Sequence, residues 1–315
     1  MKIIKKLCIV FALSSIVIVC LFFSIVSGES TFDDTYQSVI QRKYTHLKET
    51  NEKKIIIVGG SSAGFGIDAS YLEEKTGYKV VNMRLHAGFG NLFNTEIIKS
   101  NVNKGDIVIL AYEYNLNKDC FKSLGNIELI TTGIDSNLSI YQQLPFRTYK
   151  EILGNMINYA KKKYTYSPTS SGVYSSQAFD KNGNMTFVRN KFVLENYKAN
   201  IDYYGQITQN DLQSTDENLD YLRDFKKWIQ NKEALVYFSA PPVLNQAIDV
   251  IENDLNNYKA CLEMSGIKFI SNPNDYIFDE EYMYDTIYHC NSKGERKRSE
   301  LLYKDLKSYL SIKKE

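Results

Sequence analysis

The hydrophobic pattern divides the chain into three unequal parts. The first is an unbroken apolar run from Leu7 to about Ser27, with Lys2, Lys5 and Lys6 in front of it. Roughly 20 apolar residues match the hydrocarbon core of a bilayer. Lysines at the start of such a run stay cytoplasmic, which would export everything after Gly28. A retained signal anchor and a cleaved signal peptide both begin this way. The run exceeds the core of about 7–15 residues typical of a signal peptide, and Val26-Ser27-Gly28 is a poor cleavage site, so the anchor is the favoured reading.

The second part, residues 29–52, is polar and charged. Tyr36, Val39, Ile40, Tyr44 and Leu47 recur in it at helical spacing, as expected of a helical stalk or of a first helix packed on the domain. From residue 53 short β-branched runs alternate with amphipathic stretches. Strands are predicted at Ile55–Val58, Lys79–Met83 and Ile107–Tyr112, with helices at Ala69–Lys75, ended by Gly77, and at Leu92–Asn101. That order is the signature of βαβ units around a parallel sheet. The rhythm breaks from about 116 to 215, where a helical piece near Tyr149–Lys163 precedes a polar stretch from Tyr164 to Asn190. This region reads as an insertion over the sheet edge, a lid or a substrate platform. Regularity then returns. A helix at Thr215–Lys232 carries Leu219, Leu222, Phe225, Trp228 and Ile229 on one face. It is followed by a strand at Ala234–Ser239, a helix at Leu244–Ser265, a strand at Ile267–Ile270 and a helix at Lys293–Leu310. The predicted fold class is α/β with a parallel sheet, an amino-terminal transmembrane helix (1–28), a helical stalk (29–52) and one domain (53–315) that holds the insertion.

Composition narrows the chemistry. The formal net charge of +1 gives no reason to expect a nucleic-acid partner. Cys8 and Cys20 fall inside the membrane run, leaving Cys120, Cys261 and Cys290, an odd and irregular set that makes no disulfide framework. His46, His86 and His289 are scattered without metal-ligand spacing, so no metal is expected. No phosphate-cradling Gly-Lys-Ser/Thr motif occurs, and no cofactor is expected. The 24 tyrosines suit a carbohydrate-facing surface, and a composition bias explains them equally.

Two stretches carry reactive residues. Ile55-Ile56-Ile57-Val58 stops at Gly59-Gly60-Ser61-Ser62, which is how a buried strand delivers a side chain into a crevice at its carboxyl end. Ser61 is then a nucleophile or the cap of the next helix. Gly60-Ser61-Ser62-Ala63-Gly64 also fits Gly-x-Ser-x-Gly with Ser62 as nucleophile, but that elbow belongs to a fold with several strands before it, so Ser62 is read as a cap or support. Near the other end, Tyr284-Asp285-Thr286-Ile287-Tyr288-His289 puts a carboxylate and an imidazole four residues apart, between the last strand and the last helix. A carboxylate that orients an imidazole, and an imidazole that takes a serine proton, form the machinery of acyl transfer.

With the Asn82–Gly90 segment after the second strand, these blocks resemble the SGNH (GDSL-like) hydrolases. Within that family the likeness is to extracytoplasmic, membrane-anchored members related to the D-alanine transfer protein of teichoic acids and to alginate O-acetylation proteins. It covers roughly residues 53–115 and 234–310. The resemblance implies a three-layer α/β/α, flavodoxin-like fold with Ser61 as nucleophile, His289 as base and Asp285 as acid. The usual spacing is Asp-x-x-His, and Thr286 stands three before His289, so Asp279 is held as a fallback. The oxyanion donors implied are the amides of Ser61 and Gly88, with Ala87 or Gly90 as alternatives, and an asparagine after the third strand. Here that block reads Tyr112-Glu113-Tyr114-Asn115, so Asn115 is the candidate and Glu113 a departure. His86 is read as a loop residue near the site and Arg84 as a solvated side chain, with contact to an anionic substrate as the alternative for either. The function implied is an extracytoplasmic serine esterase or O-acyltransferase acting on acyl groups of a cell-surface polysaccharide, with a membrane-bound O-acyltransferase as partner. The alternative is a non-catalytic scaffold that binds glycan or such a partner through the insertion.

Overall fold

Short β-branched runs build the centre of the molecule. In the computed structural model, which describes residues 2–26, 28–168, 171–194 and 205–310, these are β1 (Lys54–Val58), β2 (Lys79–Asn82), β3 (Ile107–Leu110) and β4 (Leu235–Phe238). β5 (Val243–Leu244), β6 (Lys268–Phe269) and β7 (Ile277–Phe278) complete the strands. The central sheet has the order β2-β1-β3-β4-β6, and every pairing in it is parallel. All five residues of β1 are buried, as expected of a parallel strand covered on both faces.

The helices in chain order are α1 (Lys2–Val26), α2 (Val39–Glu49), α3 (Ser61–Gly64), α4 (Ala69–Thr76), α5 (Gly90–Glu96), α6 (Ile127–Ile134), α7 (Leu138–Tyr141), α8 (Tyr149–Thr165), α9 (Asp216–Asn231), α10 (Glu252–Glu263) and α11 (Ser292–Leu310). They cover both faces of the sheet. Ile55 and Ile57 of β1 share one core with Leu72 of α4 and with Leu302 and Leu306 of α11. The alternate residues, Ile56 and Val58, share the other with α2, α5, α9 and α10. α1 is long and apolar enough, over Ile3–Leu21, to cross a membrane.

One stretch takes the second of its two readings, and two differ from expectation. Residues 39–49 bury Val39, Ile40, Tyr44 and Leu47 in the main core, so this segment is a helix packed on the domain, the second of the two readings of that stretch. The helix predicted at Leu244–Ser265 begins only at Glu252, because Val243 and Leu244 pair with Ile277 and Phe278 as a separate two-stranded sheet. The helix predicted over Leu92–Asn101 ends as α-helix at Glu96, and a short 3₁₀ turn finishes it. The predicted insertion holds α6, α7 and α8 and a run of 3₁₀ turns; its residues 169–170 and 195–204 lie outside the described residues.

Candidate active site

The site forms where the strand order reverses. From β1 the chain moves to β2 on one side and then crosses to β3 on the other, which leaves a crevice beyond the carboxyl ends of β1 and β3. Gly59 leaves β1 with φ of +136°, a conformation open to glycine. A Cβ at Gly59 would overlap the Arg84 guanidinium, and one at Gly60 would come within 2.7 Å of Glu113 Oε1. These glycines therefore admit two charged groups against the backbone of the turn.

Those charged groups hold the turn. Arg84, just past β2, is fully buried, which corrects its reading as a solvated side chain. Its Nε donates to Gly60 O at 2.7 Å, and Nη2 donates to Ala111 O and to Ser62 Oγ, the latter at 3.4 Å. The turn offers carbonyls with no strand partner, and the guanidinium satisfies them. Burial pulls the Arg84 pKa down to about 9, against the upward pull of Glu113. Arg298 of α11, also buried, donates Nη1 to Ser62 O at 3.0 Å. Glu113, just past β3, accepts from Ser62 N at 2.9 Å and from Ser61 Oγ at 3.4 Å. Ser62 is thus sealed among structural partners, while Ser61 stays half-buried at the start of α3.

Asp285 and His289 meet through a hairpin-like loop. Met283 and Cys290 form an antiparallel bridge, and Tyr284 N donates to His289 O at 2.8 Å. Thr286 Oγ1 accepts from the amides of Tyr288 and His289 and tightens the turn between them. Asp285 and His289 therefore flank the mouth of one loop, and four residues of separation bring Asp285 Oδ1 to 2.8 Å from His289 Nδ1. That bond places the proton on Nδ1 and leaves Nε2 as the proton acceptor. The imidazole lies flat on Phe65, the residue that ends α3, with centroids 4.0 Å apart and planes 5° from parallel. The Ser61 turn and His289 thus share a packing contact.

Tyr174, from the predicted insertion, closes the group. Its hydroxyl donates to Asp285 Oδ2 and lies 3.3 Å from His289 Nδ1. Partial burial and the neighbouring carboxylate push this phenol above its ordinary range, so it remains a donor. A cavity of about 490 Å³ opens between Tyr36, Ser61, His86, Tyr174, Ile287 and His289. Tyr36 is held in place by donating to Leu85 O and by edge contacts with the rings of His86 and Tyr174.

The expected residues are distributed as follows. Ser61 and His289 line this cavity, and Asp285 bonds His289. The Gly88 amide is engaged, donating to His86 Nδ1 at 2.8 Å. Burial, and then the charge on His289, pull the His86 pKa below its ordinary value, which suits a neutral ring that accepts at Nδ1. Asn115 is exposed and does not line the cavity. Asp279 bonds Asn245 at 2.5 Å instead of His289. Tyr174, Arg84, Arg298 and the acceptor role of Glu113 escaped the reading of the sequence. The departure at Glu113, in the block where an asparagine was expected, was the one available signal. Among known proteins, no family model and no curated protein matches this chain.

Proposed function

We propose that the chain is a membrane-anchored, extracytoplasmic serine enzyme of the SGNH type that transfers or hydrolyses acyl groups on a cell-surface polysaccharide. Its nucleophile is Ser61, its base His289 and its orienting acid Asp285. The observation that carries this reading is the 2.8 Å Asp285–His289 bond in a cavity that His289 shares with Ser61. Ser61 attacks the acyl carbonyl, Nε2 of His289 takes the hydroxyl proton, and the imidazolium is steadied by Asp285. The same proton returns to the leaving alcohol, and water or a sugar hydroxyl then takes the acyl group from serine. A flavodoxin-like fold is supported by the order β2-β1-β3-β4-β6, which is 2-1-3-4-5 when only the strands of the central sheet are counted, with helices on both faces. A membrane-bound O-acyltransferase as donor partner is what the family resemblance implies, and a membrane-proximal substrate is supported by chain length. Tyr36 lines the cavity only ten residues after Val26, which bounds its distance from the end of α1 at about 35 Å.

A specific observation favours the second reading, a scaffold that binds glycan without turning it over. The Glu113 carboxylate faces Ser61 Oγ, and the Gly88 amide is occupied. The Ser61 amide is then the remaining donor of the expected set. Treating the full chain in detergent micelles with a fluorophosphonate probe separates the two readings. Labelling that disappears in Ser61→Ala and persists in Ser62→Ala supports the enzyme. An unlabelled chain that hydrolyses no short-chain nitrophenyl ester but retains polysaccharide supports the scaffold.

A further inference from the structure

We infer that the exposed face of α8 is seated in the headgroup layer of the bilayer that α1 crosses, so that the domain rests on the membrane. This placement rests on the anchor reading of α1 and on no catalytic assignment.

Phe146, Tyr149, Leu153, Ile157, Ala160 and Tyr164 recur at intervals of three and four through α8 and the turn before it, which lays them along one stripe. The stripe faces away from the domain. Phe146 is 91 % exposed, Ile157 71 % and Tyr164 93 %, whereas Ile152 and Tyr159 on the neighbouring face are fully buried. Exposed Lys150 and Lys161 border it. An apolar stripe edged by lysines, with tyrosine at one end, is the make-up of a helix that lies in a membrane interface. Lysine stems cover apolar surface while the ammonium groups reach the headgroups.

Two independent contacts say what covers the stripe. The first is covalently close to the membrane exit. The Asp135 carboxylate, fully buried, accepts from Thr31 N at 2.6 Å and Ser30 Oγ at 3.0 Å, and on its other side from Tyr159 OH and Lys163 Nζ of α8. Thr31 lies five residues beyond Val26, so it stays within about 18 Å of the end of α1, and the clamp ties α8 to it. The second is direct. Ile18 and Leu21 of α1 line one apolar groove with Leu153, Met156 and Ile157 of α8. Leu21 and Ile18 precede Val26 by five and eight residues, which is roughly 8–12 Å down the helix axis. An interfacial helix buries its apolar face to about 5–10 Å, so the depth read from α1 agrees with the depth such a stripe takes. Seated this way, α8 fixes the height and tilt of the domain that a single helix would leave free to swing.

The test uses the full chain in vesicles of phosphatidylcholine and phosphatidylglycerol whose acyl chains are brominated near the headgroup. Trp228 is the single native tryptophan and packs beside Phe225 in α9, outside the stripe residues. Ile157→Trp and, separately, Phe146→Trp are made in a Trp228→Phe background. The expected result is severalfold quenching of each introduced tryptophan, with Trp228 of the unmodified chain unchanged by bromination. A carbonate-resistant chain whose introduced tryptophans stay bright overturns the placement alone. Brightness together with protection from aqueous iodide means that protein covers the stripe; brightness with iodide quenching means that water does. A chain that carbonate strips from the vesicles overturns the anchor and the placement together.

Discussion

Replacing Glu113 by Gln should speed the proposed reaction, although a buried carboxylate next to a serine invites the opposite expectation. The carboxylate lies 3.4 Å from Ser61 Oγ. An oxyanion forming on an acyl group at Oγ would stand about 5 Å from that charge. At an effective dielectric constant near 20, two like charges so placed repel by about 3 kcal/mol, or about 10² in rate. Gln removes the charge and keeps an amide oxygen to accept from Ser62 N, the bond that now holds the turn at 2.9 Å. The same Oε1 position faces Ser61 Oγ, so the gain comes from the lost charge alone. Allowing for solvent screening, kcat for a nitrophenyl acetate should rise by about tenfold with little change in KM, because the repulsion arises only in the transition state. The assay is steady-state hydrolysis by the full chain in micelles, paired with the rate of fluorophosphonate labelling. The variant should also melt lower, since Arg84 loses the nearby charge that raises its pKa. A folded Glu113→Gln chain with unchanged or reduced kcat would refute the reasoning, because the carboxylate then does not face the developing charge.

Three further outcomes follow from the same contacts. Arg84→Met leaves the carbonyls of Gly60 and Ala111 without this donor, while Glu113 keeps Arg298 nearby, so urea unfolding should show a loss of about 2–5 kcal/mol. Tyr174→Phe removes a donor from Asp285, which strengthens the negative field at His289. With the carboxylate held less firmly against the imidazole, kcat/KM should change severalfold while the urea midpoint stays put, and an unchanged kcat/KM would show that Tyr174 is packing only. Lys43 of α2 is buried, donates to Asn82 O at 2.8 Å, and has its pKa pulled down to about 7 by that burial. An unfolded lysine holds its proton up to about pH 10.4, so between pH 7 and 10 the unfolded chain binds more protons and the fold gains stability as pH rises. Urea midpoints of the native chain should therefore climb from pH 7 to pH 9, and in Lys43→Met that climb should shrink.

The frame was legible because it is written in short-range pattern. The β-branched runs at 55–58, 79–83, 107–112 and 234–239 each contain an observed strand, and all of them pair in parallel. A period of two or of 3.6 reports burial whatever the partner is. Failures came where partner identity decided. Val243–Leu244 and its continuation have the composition of the helix that follows them, and only the distant Ile277–Phe278 segment makes them a strand. The same holds for α2: its apolar face was visible, but whether anything covered it depended on a core assembled from the rest of the chain.

The site divides along a similar line. Ser61 and His289 stood out because reactive residues occupy strand ends and terminal loops, positions that a linear reading can locate. Arg84 and Arg298 did not, because a charged residue in an irregular stretch or on a polar-looking helix reads as solvated until its acceptors are known. Their acceptors are Gly60 O and Ser62 O, carbonyls of the very turn that displays Ser61. The third holder of that turn is Glu113, through Ser62 N. One carboxylate thus fastens Ser62 and faces Ser61. A residue that only fastened the turn would tolerate Gln in both stability and rate. One that only opposed an oxyanion would let Ala raise the rate without unfolding. Glu113 does both, so Gln should preserve the turn and release the rate, while Ala should lose the Ser62 bond and loosen Ser61 as well. The contrast between those two substitutions isolates the charge from the hydrogen bond, which neither variant does alone.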